Sequence, residues 1–117
     1  MPVPLLEFHG DADPVIHYDG KSTPDGATFG LSEFFGIWVR REGITEPCQV
    51  TELFEGKVSR FAWTKDGKEV LVHYLIRGFG HGWPTTRPLS NDDQRHGPTV
   101  FDATPVVLEW FRGVSLP

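Results

Sequence analysis

Apolar and polar positions divide this chain into short extended runs and two helical stretches. Leu5, Leu6 and Phe8 make an apolar run with little alternation, the pattern of a buried parallel strand rather than an edge strand. A strand is therefore expected over residues 5–8. Leu31, Phe34, Phe35 and Trp38 recur at helical spacing. They predict a helix over residues 32–42, with Ser32 as cap, Glu33 at its positive end, Arg40 and Arg41 at its negative end and Gly43 as its stop. Residues 47–54 and 57–64 read as strands separated by Glu55-Gly56. Asp66-Gly67 then marks a hairpin turn into a strand over 69–76. That strand is apolar on both faces (Val70, Val72, Tyr74 and Ile76 against Leu71, His73 and Leu75), so an interior place in a sheet is expected. Near the end, Thr104 is expected to cap a helix with Pro105 at its first position. Val106, Val107, Trp110 and Phe111 form its apolar face, and Gly113 ends it.

Between these elements lie two stretches read as loops, 10–30 and 77–98, both rich in Gly, Pro and Asp. Loops of that length in a small domain usually carry function. The order of strand, loop, helix, hairpin, strand, loop, helix defines a single α/β domain over residues 1–117. A buried parallel strand with few residues before it leads to the expectation that the chain is the later portion of a larger sheet.

Composition narrows the function. The chain has 117 residues, 38% of them hydrophobic and 23% charged, and its formal net charge is −5, which describes a globular domain without the basic stripe that nucleic acid requires. No apolar run approaches the roughly 20 residues of a membrane-spanning helix, and no signal-peptide pattern follows Met1. Cys48 has no second cysteine to pair with.

Candidate chemistry gathers at two strand ends. The first strand runs into His9-Gly10-Asp11-Ala12-Asp13-Pro14, and the strand over 69–76 runs into Gly78-Phe79-Gly80-His81. Open α/β sheets bind ligands at the carboxyl ends of their strands. An acid followed later in the chain by a histidine, each just past a strand, matches the order of the last two members of an α/β-hydrolase triad. Asp13 is the candidate acid and His81 the candidate base. Asp11 sits earlier on the turn, where holding the loop is the expected role. Trp83 and Tyr18 lie on the same loops and could shape a substrate pocket. An alternative groups His9, Asp11, Asp13 and His17 as metal ligands, though their spacing fits neither zinc nor calcium loops well. A third reading makes the chain a non-catalytic module that binds carbohydrate or aromatic groups.

The segments HGDADPVIHYDG, WVRREG, VLVHYLIRGFGHGWP and FDATPVVLEWF resemble, in order and over nearly the whole chain, the C-terminal half of polyhydroxybutyrate depolymerase-like and feruloyl esterases. The resemblance implies an α/β-hydrolase fold, secretion and extracellular work, no cofactor, and a carboxylic ester as substrate, either a feruloylated polysaccharide or a short-chain polyester. It also implies that Asp13 is the triad acid and His81 the triad base. The chain departs from that family in having no G-x-S-x-G elbow: Ser22, Ser32, Ser59, Ser90 and Ser115 all lack that context. It has Ile44 and Thr64 where the family usually carries cysteines. A fragment lacking the nucleophile is the resulting expectation, inactive on its own and prone to instability.

Overall fold

The computed structural model describes residues 3–23, 26–28, 30–87 and 99–113. A four-stranded mixed sheet lies at its centre. Its strands are β1 (Leu5–Gly10), β4 (Gln49–Leu53), β5 (Val58–Lys65) and β6 (Lys68–Ile76), in the order β1-β6-β5-β4. β1 pairs with β6 in parallel, Leu5 opposite Leu71 through Gly10 opposite Ile76, and the other two pairings are antiparallel. β6 is thus interior, as its two apolar faces require. The hairpin between β5 and β6 turns at Asp66 and Gly67, both at positive φ, the conformation that the Asp-Gly pair favours.

Alternation along the strands produces two cores. On one face Val58, Ala62, Val72, Tyr74 and Ile76 are buried together with Phe79 and Phe101, and Leu6, Phe8 and Val106 pack against them. On the other, Leu71 is buried with Leu31 and Phe35 of helix α1 (Leu31–Arg41), flanked by Leu5, Trp38, Val39 and Trp63. Helix α2 (Ala103–Arg112) reaches the first core through Val106. A four-stranded mixed sheet and two helices therefore form the α/β body that carries the strand ends.

Several local expectations are corrected. β1 runs two residues past Phe8, because His9 and Gly10 continue the parallel ladder with Leu75 and Ile76. Within residues 10–30, read as a loop, two three-residue strands, β2 (Lys21–Thr23) and β3 (Gly26–Thr28), form an antiparallel pair. Strands so short carry no readable alternation. α1 starts at Leu31, with Gly30 at the cap position and no side-chain cap, so Ser32 lies inside the first turn. The backbone bond from Leu31 N–H to Tyr18 O (2.9 Å) instead ties that helix start to the preceding loop. At α2 the cap position is Asp102, not Thr104. Asp102 does not cap the helix with its side chain, because its carboxylate accepts from Thr85 Oγ1 at 3.1 Å and the Thr86 N–H at 2.8 Å. Phe111, expected on the apolar face of α2, is 61% exposed. Much of the 77–98 stretch falls outside the described residues. No helix among the described residues is long and apolar enough to cross a membrane.

Candidate active site

Parallel pairing of β1 with β6 brings their carboxyl ends side by side, and backbone bonds then join the two following loops. The Asp11 N–H donates to Ile76 O (3.1 Å) and the Ala12 N–H to Phe79 O (3.0 Å). Asp11 adds a side-chain tie, its Oδ1 accepting the Gly78 N–H at 2.7 Å. Gly10 is needed where the loops meet. A Cβ there would lie 2.0 Å from the Phe79 carbonyl oxygen, so only a residue without one allows this approach.

Past that contact stand Asp13 and His81, 68 residues apart in sequence. His81 Nδ1 is 2.9 Å from Asp13 Oδ2. The acid is buried (6% exposed), whereas the imidazole side chain is 48% exposed. The other carboxylate oxygen, Oδ1, accepts the Val15 N–H at 2.8 Å and the Ile16 N–H at 2.9 Å, which fixes the carboxylate plane through a local turn. Burial pushes the Asp13 carboxyl up, but the hydrogen bonds from Ile16, His81 and Val15 outweigh it and hold the group below its usual range. Asp13 therefore remains an anion at neutral pH.

A small cavity of about 180 Å³ opens at this dyad, lined by residues that include Phe8, His9, Gly10, Phe79, Gly82 and Pro84. Among the described residues none of its lining groups carries a hydroxyl or thiol. Ser59 is fully buried elsewhere, donating to Glu52 at 2.8 Å, and Ser90 and Ser115 lie outside the described residues. Trp83 does not line this cavity but packs against Phe8, which does. It is 54% exposed, its ring is tilted against Phe8 at 6.1 Å, and its Nε1 donates to Thr104 Oγ1 at 3.0 Å. Tyr18 is on the other face of the sheet from Phe8, lining a separate cavity of about 290 Å³ with Phe35, Trp63 and His73.

No protein-family model matches this chain, and no curated protein matches it in sequence.

The suggested metal set does not converge. Asp11 and Asp13 are engaged by backbone N–H groups, His9 Nε2 is 2.7 Å from Ile16 O, and among the described residues no group of three or more His, Cys, Asp or Glu side chains is placed to hold an ion.

Sequence reasoning missed a polar chain beneath the dyad. Glu7 contacts two histidines, with Oε1 3.2 Å from His9 Nδ1 and Oε2 2.5 Å from His73 Nδ1. The His73 contact is close but poorly aligned as a hydrogen bond. His73 Nε2 continues to the Tyr18 hydroxyl at 2.8 Å. A readable signal existed: Glu7 and His9 are two apart on a strand and must share a face, and an acid within an apolar strand needs a partner.

Stability should follow these groups with pH. The Asp13 and Glu7 carboxyls lie below their ordinary 3.8 and 4.5. For Glu7 burial acts upward, and the His73 and His9 contacts overcome it. A carboxyl depressed on folding stabilises fully above its unfolded value, and that contribution is lost as pH falls through the folded value. Urea unfolding should therefore show little change between about pH 7 and pH 5 from these two groups, then a loss below about pH 4.5. Asp13→Asn should flatten that acid limb. An equally steep limb in the variant would show that Asp13 is not its source.

Proposed function

We propose that this chain carries the acid–base half of a serine-type carboxylic ester hydrolase site. The observation supporting it is the 2.9 Å contact between a buried aspartate and a half-exposed histidine at the carboxyl ends of adjacent parallel strands. A carboxylate on Nδ1 holds the imidazole in the tautomer that takes a proton at Nε2 and stabilises the imidazolium that results. His81 would deprotonate a nucleophilic hydroxyl as it attacks the ester carbonyl, then return the proton to the leaving alkoxide. The same ring would next deprotonate the water that releases the acyl group. The hydroxyl would come from a G-x-S-x-G elbow on a segment outside these 117 residues. Trp83 would offer an apolar flank to the acyl or sugar portion of a feruloyl ester or a polyester, and the resemblance to secreted esterases makes these the substrates to test first. Tyr18, on the far face, would act through His73 rather than by touching substrate.

The test uses the DNA upstream of the Met1 codon. The reading predicts an in-frame extension encoding Gly-x-Ser-x-Gly. The extended chain should hydrolyse 4-nitrophenyl butyrate and methyl ferulate, with activity lost in His81→Ala. The 117-residue chain alone should show no His81-dependent turnover. A stop codon with no such elbow upstream, or hydrolysis by the extended chain that survives His81→Ala, would overturn the proposal.

A further inference from the structure

Both ring nitrogens of His9 face acceptors. Nδ1 lies 3.2 Å from Glu7 Oε1, and Nε2 lies 2.7 Å from the Ile16 carbonyl oxygen and 3.4 Å from Asp13 Oδ2. Carboxylate and carbonyl oxygens supply no proton to such a contact. A neutral imidazole has one N–H and would turn its bare nitrogen toward an oxygen lone pair. Only the doubly protonated ring satisfies both sides. The side chain is 10% exposed, so water cannot easily replace a missing partner. The Tyr18 ring lies edge-on to it with its centroid at 5.9 Å and adds no formal charge.

We infer that His9 is a standing imidazolium clamped between Glu7 and Asp13, and that it is a positioning residue for the Asp13–His81 pair. Asp13 Oδ2 is shared: His81 approaches it at 2.9 Å and His9 at 3.4 Å. The two histidines therefore compete for one oxygen. While His9 is charged it helps keep Asp13 ionised and in place, and it draws part of that oxygen's charge away from His81. When His9 loses its proton, Asp13 Oδ2 no longer shares its charge with a second cation and is left to the His81 Nδ1 contact. The charged groups facing His9 are Glu7 from its own strand and Asp13 from the following turn. His73 acts behind Glu7, from β6, and His81 acts behind Asp13. This inference about function rests on the esterase reading, but the charge state of His9 does not.

The charge on His9 also has a pH signature of the opposite sign to the carboxylates. Its ring is raised above the ordinary 6.5, chiefly by the Glu7 contact, with burial opposing. A group raised on folding stabilises fully below its unfolded value, and the contribution disappears as pH rises through the folded value.

Heteronuclear NMR of the full chain with 15N-labelled histidine side chains tests the inference directly. Both His9 ring nitrogens should carry protons at pH 6.5, where an isolated histidine is half deprotonated. The His9 titration should move to lower pH in Glu7→Gln. The His81 Nδ1 resonance should shift over the same pH range in which His9 loses its proton, and that shift should vanish in His9→Phe. A His9 ring that titrates at or below the ordinary histidine range in the native chain would overturn the imidazolium. A His9 titration to which His81 does not respond would overturn the positioning role. If His9→Phe fails to fold, the native and Glu7→Gln titrations still decide the first point, and the His81 response in the native chain decides the second. Failure of the dyad reading is separately visible: His81 Nδ1 would then be insensitive to Asp13→Asn while His9 stayed protonated.

Discussion

Gly10→Ala should cost the fold about 3 kcal/mol, the upper end of what overpacking a close-packed site produces. The added methyl would meet the Phe79 carbonyl carbon at 2.5 Å as well as its oxygen at 2.0 Å. These are backbone atoms of a loop already fixed by the Ala12 bond to the same oxygen, so no side-chain rotation relieves the clash. Relief requires the loop after β6 to move away from the turn after β1, and that movement separates His81 from Asp13. A control separates this from ordinary glycine effects. Gly67 has φ +78° and nothing within 4 Å of an added Cβ, so Gly67→Ala should cost only about 1 kcal/mol, from backbone conformation alone. Urea unfolding of the two variants should give clearly different midpoints. Equal, small losses would mean that the loops are not in the contact described.

His73→Leu should be nearly as damaging, about 2–3 kcal/mol, despite placing a good hydrophobe in a buried strand position. His73 is 1% exposed and joins Glu7 to the Tyr18 hydroxyl. Its replacement leaves the Glu7 carboxylate with His9 as its remaining histidine partner and removes the bond from the Tyr18 hydroxyl. The Tyr18 phenol, pushed up to about 12 mainly by burial, stays protonated and needs a partner. Glu7→Gln in the same chain should recover part of the loss, because it replaces a half-buried carboxylate that has lost one of its two histidine contacts with a neutral amide. Absence of recovery would place the cost of His73→Leu in packing against Phe35 and Phe61, whose rings lie 4.6 Å and 5.5 Å from the imidazole.

The elements that could be read from sequence were those written locally. Periodicity located the longer strands and both helices, and Asp66-Gly67 located the turn between β5 and β6 because that turn needs two residues at positive φ. The helix starts were misread because Ser and Thr near a helix start are caps only when nothing else claims the geometry. Here Leu31 is tied to Tyr18, and Thr104 accepts from Trp83. The pairing of β1 with β6 is a long-range contact with no local signature. The Asp13–His81 approach could be anticipated only from chain order and strand-end placement. The need for glycine at position 10 has no local signature either, because it is the approach of the Phe79 carbonyl that excludes a side chain. The Glu7–His73–Tyr18 chain was invisible for a related reason: His73 reads as one interior residue until its cross-strand neighbour at position 7 is known.

Asp13 should hold His81 in one tautomer, and proton NMR of the imidazole N–H groups reads that tautomer. In the native chain at pH 8, an Nδ1-bound proton is expected on His81, shifted downfield by the carboxylate and protected from exchange. Asp13→Asn should abolish that signal while leaving the resonances of His73 in place. A His81 ring protonated at Nε2 alone, or an Nδ1 proton indifferent to Asp13→Asn, would show that Asp13 does not set the tautomer.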